Sequence, residues 1–225
     1  MPSSETVIKL NDKIHDRVVN LLRSEPRGTV LDVGAGDGTL TARLKREGFA
    51  VQAADLVTDG FRPSDIEITV ADFNDGLPFE DGRFEVVVAT EIIEHLENPW
   101  HFVRELYRVT KPNGVVIVST PNLANVYVRL FYALTGRLYN FLESAYRGIG
   151  HITPVYLWNL QRMADGRFDV EAVVTNASPI PKTPILLPLR SRFFGQCIVV
   201  KLRRKPPGET AREHQNGRQH IVRPD

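Results

Sequence analysis

The feature that most constrains the fold is a β-branched segment that runs straight into three glycines. TVLDV (29–33) predicts a buried strand, GAGDG (34–38) a tight turn, and residues 39–47 a helix. Glycine permits the turn and a close approach of bare backbone to a ligand, and the helix N-terminus adds free N–H groups. An ordinary strand-to-helix turn would use the same residues, so the loop alone indicates a ligand site only weakly.

Strands and helices alternate through the chain. Further strands are predicted at 49–54, 66–71, 84–89 and 115–120, and helices at 7–22, 99–110, 123–135 and 154–164. The run at 84–89 is continuously apolar, as expected for a strand buried on both faces. The alternation predicts an α/β fold with a parallel sheet and right-handed crossovers.

The C-terminal half is less regular. Segment 137–150 predicts an aromatic-rich loop or broken helix, and segments 168–175 and 196–202 predict a final strand pair. Four prolines between 178 and 195 predict a long connection and no strand, because proline removes ladder donors. Residues 111–114, Lys-Pro-Asn-Gly, predict a turn before the fifth strand.

Composition fits a single globular domain. The chain has 225 residues with 28 Lys+Arg against 27 Asp+Glu, so its charge gives no reason to expect a nucleic-acid partner. It has one cysteine, which excludes an internal disulfide. No signal pattern and no apolar run of membrane-spanning length is present. We therefore expect a cytoplasmic protein with one domain over 1–203, an N-terminal helix at 5–24, and a disordered tail at 204–225.

Carboxylates mark the ends of three successive strands. Asp32 and Asp37 flank a G-x-G-x-G loop, which differs from the G-x-G-x-x-G of dinucleotide sites. They would repel a pyrophosphate and attract a ligand with ammonium and sulfonium charges. Asp55 could accept both hydroxyls of a ribose, and Asp72 an adenine amino group with Phe73 against the ring.

The motifs VLDVGAGDGTLTARL, AADL, ADFNDGLPFEDGRFEVVVATEIIEHLENP and RVTKPNGVVIVSTPN resemble those of class I S-adenosylmethionine-dependent methyltransferases, over residues 28–122. The resemblance implies a Rossmann-like, doubly wound, seven-stranded sheet with an antiparallel last strand. It implies that Asp32, Gly34 and Gly36 hold the methionine part of S-adenosylmethionine, Asp55 the ribose, and Asp72 and Phe73 the adenine. Ala35, Leu56 and Thr90 would complete that site.

The segment TEIIEHL (90–96) places two carboxylates and an imidazole after the fourth strand. If a helix begins there, Glu91, Glu94 and His95 share one face. Three interpretations stay open. The segment is a solvated first turn, favoured by the helix dipole. His95, supported by Glu94, is a general base for methyl transfer to oxygen. Or the three side chains bind a divalent metal that activates the acceptor.

The E-x-x-E-H spacing is similar to that of ubiquinone-pathway O-methyltransferases and small-RNA 3′-terminal 2′-O-methyltransferases, where a metal is implied. Both groups supply another histidine downstream, which suggests His151 as a fourth ligand beside Glu91, Glu94 and His95, with Mg²⁺ or Mn²⁺ as the ion. The alternative for His151 is a loop histidine that caps the next helix.

The acceptor is expected to be a small molecule such as a phenol, a quinone precursor or a sugar. An insertion at about 123–153, rich in aromatics, would cover the site or belong to a helical core. The stretch 178–195 could line the same pocket or rest on a membrane as a peripheral contact. Two rivals remain, an NAD-dependent oxidoreductase and a non-catalytic S-adenosylmethionine-binding module.

Overall fold

The computed structural model describes residues 4–176, 178–179, 186–187 and 193–206. Its helices are Ser4–Leu22 (α1), Thr39–Arg46 (α2), Pro99–Val109 (α3), Val126–Thr135 (α4), Glu143–Ile149 (α5) and Leu157–Ala164 (α6). Its strands are Thr29–Val33 (β1), Ala50–Asp55 (β2), Ile68–Val70 (β3), Phe84–Thr90 (β4), Thr110–Pro121 (β5), Phe168–Thr175 (β6), Ser178–Pro179 (β7), Leu186–Leu187 (β8) and Cys197–Arg204 (β9). Two 3₁₀ turns lie at Ile93–His95 and Tyr139–Phe141.

Seven strands form one sheet in the order β3-β2-β1-β4-β5-β9-β6. Strands β1 to β5 pair in parallel, and β9 runs antiparallel to both of its neighbours, β5 and β6. The predicted Rossmann-like, doubly wound α/β sheet with an antiparallel last strand is therefore confirmed. The parallel pairing brings the carboxyl ends of β1, β2 and β4 to one edge, where ligands bind in such sheets.

Both faces of the sheet are buried. On β4, Val86 and Val88 pack with the core beneath α1 and α2, whereas Val87 and Ala89 pack with the core beneath α3 and α6. This alternation explains why the fourth strand reads as a continuous apolar run, since each successive side chain enters a different core. The sheet is a rigid platform that fixes where β1, β2 and β4 end.

Three local predictions are corrected by the structure. The segment 111–114 is not a turn before β5 but a bulge within it, because Phe84 pairs with Thr110 while Val86 pairs with Val115. The stretch predicted to lack strands contains the two-residue strands β7 and β8, which pair antiparallel. The disordered tail predicted over 204–225 is wrong at its first residue, since Arg204 belongs to β9.

Helix α4 begins later than predicted, at Val126, because the side chain of Asn125 accepts hydrogen bonds from the backbone N–H groups of Tyr127 and Val128. The rest of the proline-rich stretch and the tail from 207 onward lie outside the described residues. Among the helices that the structure describes, none combines the length and apolarity needed to cross a membrane.

Candidate active site

The glycine loop after β1 is shaped by left-handed backbone. Gly34, Gly36 and Gly38 have φ values of 75°, 54° and 78°. A Cβ on Gly34 would lie 2.8 Å from Ile92 Cδ1, so that position is closed by protein. A Cβ on Gly36 would meet nothing within 4 Å. The open space beside Gly36 is where a ligand can reach bare backbone.

Asp55 ties the end of β2 to this loop. Its Oδ2 accepts a hydrogen bond of 2.7 Å from the Gly36 N–H, and its Oδ1 accepts one of 3.1 Å from the Val57 N–H. The N–H groups of Gly34 and Ala35 both donate to the Ala54 carbonyl, at 2.9 and 3.2 Å. The loop is therefore fixed to β2 through backbone and side chain before any ligand arrives.

Asp32 lies under the loop and not at its surface. It is buried, and its Oδ2 accepts a 2.6 Å hydrogen bond from the Thr41 hydroxyl at the start of α2. Burial raises the pKa of Asp32 to about 6, against the opposing effect of the Thr41 hydrogen bond. In this arrangement Asp32 orients the loop and α2 from below.

The end of β3 differs from expectation at one residue. Asp72 is exposed, and its Oδ1 accepts a 2.9 Å hydrogen bond from the Asn74 N–H. Phe73 is 4% exposed and packs on Phe102, with ring centroids 6.2 Å apart. Its ring belongs to the core and does not fit the expected place against an adenine. Leu56, next to Asp55, is exposed and offers apolar surface there instead.

The helix on which the shared face of Glu91, Glu94 and His95 depended does not form. Glu91 has a left-handed φ of 52°, and only Ile93–His95 form a 3₁₀ turn. The Glu91 carboxylate accepts hydrogen bonds from the Ser119 hydroxyl at 2.7 Å and the Cys197 thiol at 3.2 Å. The backbone N–H of Glu91 also donates to Ser119 Oγ at 3.0 Å. These bonds to β5 and β9 hold Glu91 away from Glu94 and His95, with which it was expected to share a face. Thr90, at the end of β4, is half-buried.

Glu94 differs from Glu91 in that its carboxylate makes no hydrogen bond to the described residues. Its side chain is 0% exposed, and neither carboxylate oxygen has a hydrogen-bond partner among the described residues. The Thr120 hydroxyl lies near the carboxylate but outside hydrogen-bond geometry. Burial, reinforced by the charge of Glu91, raises the pKa of Glu94 well above its ordinary value. A buried carboxylate without partners costs several kcal/mol, so the site is electrostatically incomplete.

Two histidines face Glu94. His95 Nδ1 lies 3.2 Å from the Gly150 carbonyl, and His151 Nδ1 lies 2.9 Å from the Asn140 carbonyl. A carbonyl accepts only from N–H, so each imidazole is protonated on Nδ1 and keeps a lone pair on Nε2. His151 Nε2 is 4.0 Å from Glu94 Oε1. Burial lowers the pKa of both histidines, which favours the neutral, ligating form.

Backbone hydrogen bonds bring His151 to the turn. The N–H groups of Ile152 and Thr153 both donate to the Glu94 carbonyl at 3.0 Å. The Thr153 hydroxyl donates to the Leu96 carbonyl at 2.6 Å. These contacts dock a segment 55 residues downstream onto the 3₁₀ turn, and they place the two imidazole rings 4.8 Å apart.

Glu94, His95 and His151 form a group with the chemistry of a cation site. One ligand atom of each lies within 4.8 Å of the others. One carboxylate and two imidazoles make a donor set typical of transition metals with open positions. The carbonyls that accept from both Nδ1–H groups are the kind of support that fixes a ligating histidine. These residues fit a divalent cation, and Glu91 is not part of the group.

Comparison with known proteins agrees with this architecture. A family model described as a methyltransferase domain matches residues 7–164. The chain belongs to the class I S-adenosylmethionine-dependent methyltransferases. This confirms the resemblance drawn from the motifs.

Curated relatives of this methyltransferase match over part of their length. The ubiquinone biosynthesis O-methyltransferase of Rickettsia typhi is 34% identical over 100 residues, which cover 41% of each chain. That of Caulobacter vibrioides is 33% identical over 110 residues, covering 42% of this chain and 41% of the relative. The match thus spans about two fifths of the length of these relatives.

Solved structures share the fold of this methyltransferase. A SAM-dependent methyltransferase from Archaeoglobus fulgidus has a TM-score of 0.62 and 16% identity, over 89% of this chain and 100% of the other. The N-methyltransferase NodS from Bradyrhizobium japonicum, in complex with S-adenosyl-L-homocysteine, has a TM-score of 0.59 and 14% identity, over 88% of each chain.

Sequence reasoning missed the residues that separate the two glutamates of the methyltransferase site. Ser119 and Cys197 hold Glu91, and they lie 28 and 106 residues away in the chain. The carbonyls of Asn140 and Gly150, which orient the histidines, carry no side-chain signal at all. Only the spacing of strands β4, β5 and β9 in the sheet could have pointed to Ser119 and Cys197.

Proposed function

We propose that this methyltransferase transfers the methyl group of S-adenosylmethionine to an oxygen of a small-molecule acceptor, with a divalent cation held by Glu94, His95 and His151. The observation that carries the proposal is the Glu94 carboxylate, which is fully buried without partners among the described residues. His151 Nε2 lies 4.0 Å from its Oε1, and His95 belongs to the same cluster of ligand atoms, which lie within 4.8 Å of one another. Burying a carboxylate without partners costs several kcal/mol, and a bound cation would offset that cost.

The cofactor would lie along the carboxyl ends of β1, β2 and β4. Asp55 offers its carboxylate to the ribose, and Gly36 admits the ligand to the backbone. Asp72 and the exposed Leu56 lie at the adenine end, with Thr90 toward the sulfonium. The loop is held in place by Asp32 and by the N–H groups of Gly34 and Ala35, which donate to the Ala54 carbonyl. S-adenosylmethionine, when bound, supplies an electrophilic methyl carbon.

The acceptor would meet Glu94, His95 and His151 at the end of β4. A divalent cation, when bound, would lower the pKa of the acceptor hydroxyl. The three side chains would orient the acceptor oxygen toward the cofactor, and this positioning supplies much of the rate enhancement. Two imidazoles and one carboxylate favour Mn²⁺ over Mg²⁺, since Mg²⁺ prefers oxygen ligands.

Oxygen as the acceptor atom is supported by the names of the curated relatives, which are ubiquinone biosynthesis O-methyltransferases. A phenol or catechol is the acceptor class that fits both those names and a chelating site. A cation-free reaction is the second candidate, and it rests on the His95 ring, whose Nδ1 faces the Gly150 carbonyl so that Nε2 carries the lone pair of the neutral form. In that case His95 accepts the proton of the hydroxyl directly, and its lowered pKa keeps it neutral for the purpose.

The test is calorimetric titration of Mn²⁺, and separately Mg²⁺, into protein saturated with S-adenosylhomocysteine. Wild type, Glu94→Gln and His151→Ala are compared with Glu91→Gln and His101→Ala. The last two are matched controls, a neighbouring glutamate bonded elsewhere and a histidine outside the cluster. We expect saturable Mn²⁺ binding that is lost in the first two variants and kept in both controls.

Transfer from labelled S-adenosylmethionine to a simple catechol separates the remaining candidates. Activity abolished by a chelator and restored by Mn²⁺ would support the cation. Activity that resists the chelator and Glu94→Gln but disappears in His95→Ala would establish the base instead. Binding of S-adenosylhomocysteine without turnover of any hydroxyl compound would favour a non-catalytic module. Tighter binding of NADH than of S-adenosylhomocysteine would favour an oxidoreductase.

A further inference from the structure

The segment 126–149, which we call the acceptor-side cover, exposes an unusual amount of apolar surface. It consists of α4, the 3₁₀ turn at Tyr139–Phe141, and α5. Val128 is the buried residue of α4, whereas Leu130 and Leu134 are 58% and 86% exposed. These two leucines are spaced i, i+4 and therefore lie on one face of the helix. An apolar face of this kind marks an interaction surface.

Aromatic residues extend the exposed surface. Tyr132, Tyr139 and Tyr146 are each about half exposed, and Ile149 is exposed at the end of α5. Tyrosine combines an apolar ring with a polar hydroxyl, and it is enriched where one end of a side chain meets lipid and the other meets water. The cover therefore has the composition of a surface that sits at a lipid–water boundary.

The charge of the cover is basic. It contains Arg129, Arg137 and Arg147 against a single acidic residue, Glu143, whose carboxylate pairs with Arg147 at 2.6 Å. All three arginines are exposed. The whole chain carries a net charge of only +1, so this basic excess is local. Arginines beside exposed leucines and tyrosines complement an anionic lipid headgroup layer.

The cover is joined directly to the candidate acceptor site. Phe141 packs on the His151 ring with centroids 5.4 Å apart, and the Asn140 carbonyl accepts from His151. Phe131 of α4 packs on Tyr139 at 5.5 Å, which links the helix to that turn. A surface on which the cover rests would therefore lie next to His151 of the proposed cation site.

We propose that the acceptor-side cover docks peripherally on an anionic lipid bilayer. Leu130, Leu134, Tyr139 and Tyr146 enter the headgroup region, whereas Tyr132 lies on the other side of α4. The arginines contact the lipid phosphates. Docking in this way brings acceptors that partition into the bilayer to Glu94 and the two histidines. It needs neither cofactor nor cation, so it stands or falls independently of the proposed methyl transfer.

The experiment is flotation of the full chain with vesicles of phosphatidylcholine alone or with 30% phosphatidylglycerol added. We expect wild type to float with the anionic vesicles and to dissociate as salt rises. Leu130→Ser/Leu134→Ser should lower the vesicle affinity more than about tenfold, and Arg129→Gln/Arg137→Gln about 25-fold, at roughly fivefold per arginine. Val70→Ser is the matched control, since Val70 is 65% exposed on the edge strand β3 and should float as wild type does.

Three results would overturn the proposal. Wild type that stays unbound with anionic vesicles excludes lipid docking. Cover variants that float as well as wild type would assign binding to another part of the chain. Wild type could also fail to bind vesicles and form a dimer in analytical ultracentrifugation. If Leu130→Ser/Leu134→Ser dissociates that dimer, the cover is a contact with a second copy of the chain. Circular dichroism of each variant verifies that the fold is kept.

Discussion

The two sides of the candidate site differ in how they satisfy their charges. On the cofactor side, Asp32 bonds to Thr41, Asp55 bonds to Gly36, and Asp72 bonds to Asn74. On the acceptor side, Glu94 is more deeply enclosed than Asp55 or Asp72, yet neither of its oxygens has a partner among the described residues. Each cofactor-side carboxylate thus has at least one hydrogen bond, although the buried Asp32 Oδ1 has none among the described residues, whereas Glu94 has none on either oxygen.

Because of this difference, we expect substitutions of Asp55 and Glu94, on the two sides of the site, to change stability in opposite directions. Removing the Asp55 carboxylate breaks the bond to the Gly36 N–H that the fold uses, so stability and cofactor binding should both fall. Removing the charge of Glu94 relieves an uncompensated group, so stability should rise while function falls. The following experiments test that contrast, beginning with the largest expected effect.

Glu94→Gln should reduce methyl transfer by about 10³-fold or more, because several kcal/mol of transition-state stabilisation would be lost. In the absence of divalent cations the same variant should unfold at a higher temperature than wild type. The measurement is steady-state transfer beside differential scanning calorimetry, each with and without Mn²⁺. Wild type should gain stability from Mn²⁺ and the variant should not.

The size of that stability effect depends on pH. The folded-state pKa of Glu94 lies above its ordinary value of 4.5, so the folded protein holds an extra proton. The associated stability is present below pH 4.5 and is lost as pH rises toward the folded pKa. The advantage of Glu94→Gln should therefore grow with pH. An advantage that shrinks as pH rises would mean that Glu94 has a partner.

Asp32→Asn should remove a pH dependence of stability between pH 3.8 and about 6. The folded pKa is raised, so wild type should lose about 3 kcal/mol of unfolding free energy across that window, at about 1.4 kcal/mol per unit. Urea unfolding at several pH values measures the difference between the two proteins. Asparagine still offers Thr41 an acceptor. Parallel curves for the two proteins would contradict a buried, titrating Asp32.

Asp55→Ala should weaken S-adenosylhomocysteine binding about 10- to 100-fold, as expected for loss of charge-assisted hydrogen bonds to ribose hydroxyls. It should also lower stability slightly, because the Gly36 N–H loses its acceptor. Isothermal titration calorimetry gives the affinity. Asp59→Ala, an exposed carboxylate four residues further on, is the control and should bind as wild type does. Equal losses in both variants would point to a general charge effect.

Gly36→Ala should have the smallest effect on stability, about 1 kcal/mol for a side chain at φ 54°. That corresponds to a fall in melting temperature of about 2–4 °C. The affinity for S-adenosylhomocysteine should fall by more than this stability loss, because the new methyl group would fill the open space beside Gly36 that the ligand would use. Gly60→Ala is the control, since its Cβ also meets nothing within 4 Å and its φ is not left-handed. Unchanged affinity in Gly36→Ala would place the cofactor elsewhere.

Much of the fold could be predicted from local pattern. The apolar periods of β1, β4 and the helices, together with the glycines after Val33, give the order of elements, because strand and helix periods differ. The bulge at 111–114 could not be predicted, since Pro and Gly in sequence look the same in a bulge and in a turn. Only the pairing of Thr110 with Phe84 of β4 extends the strand back to Thr110, since the pairing with β9 begins at Val115.

The sequence by itself determined which carboxylates end the strands on the cofactor side. Parallel strands bring Asp32, Asp55 and Asp72 to one edge whatever the details of packing. Only the tertiary structure decided which glutamate of TEIIEHL faces the histidines. The bonds from Ser119 and Cys197 hold Glu91 against β5 and β9, and its left-handed backbone leaves Glu94 alone with His95 and His151. Those partners lie tens of residues away, so no local period in the sequence could have encoded the choice.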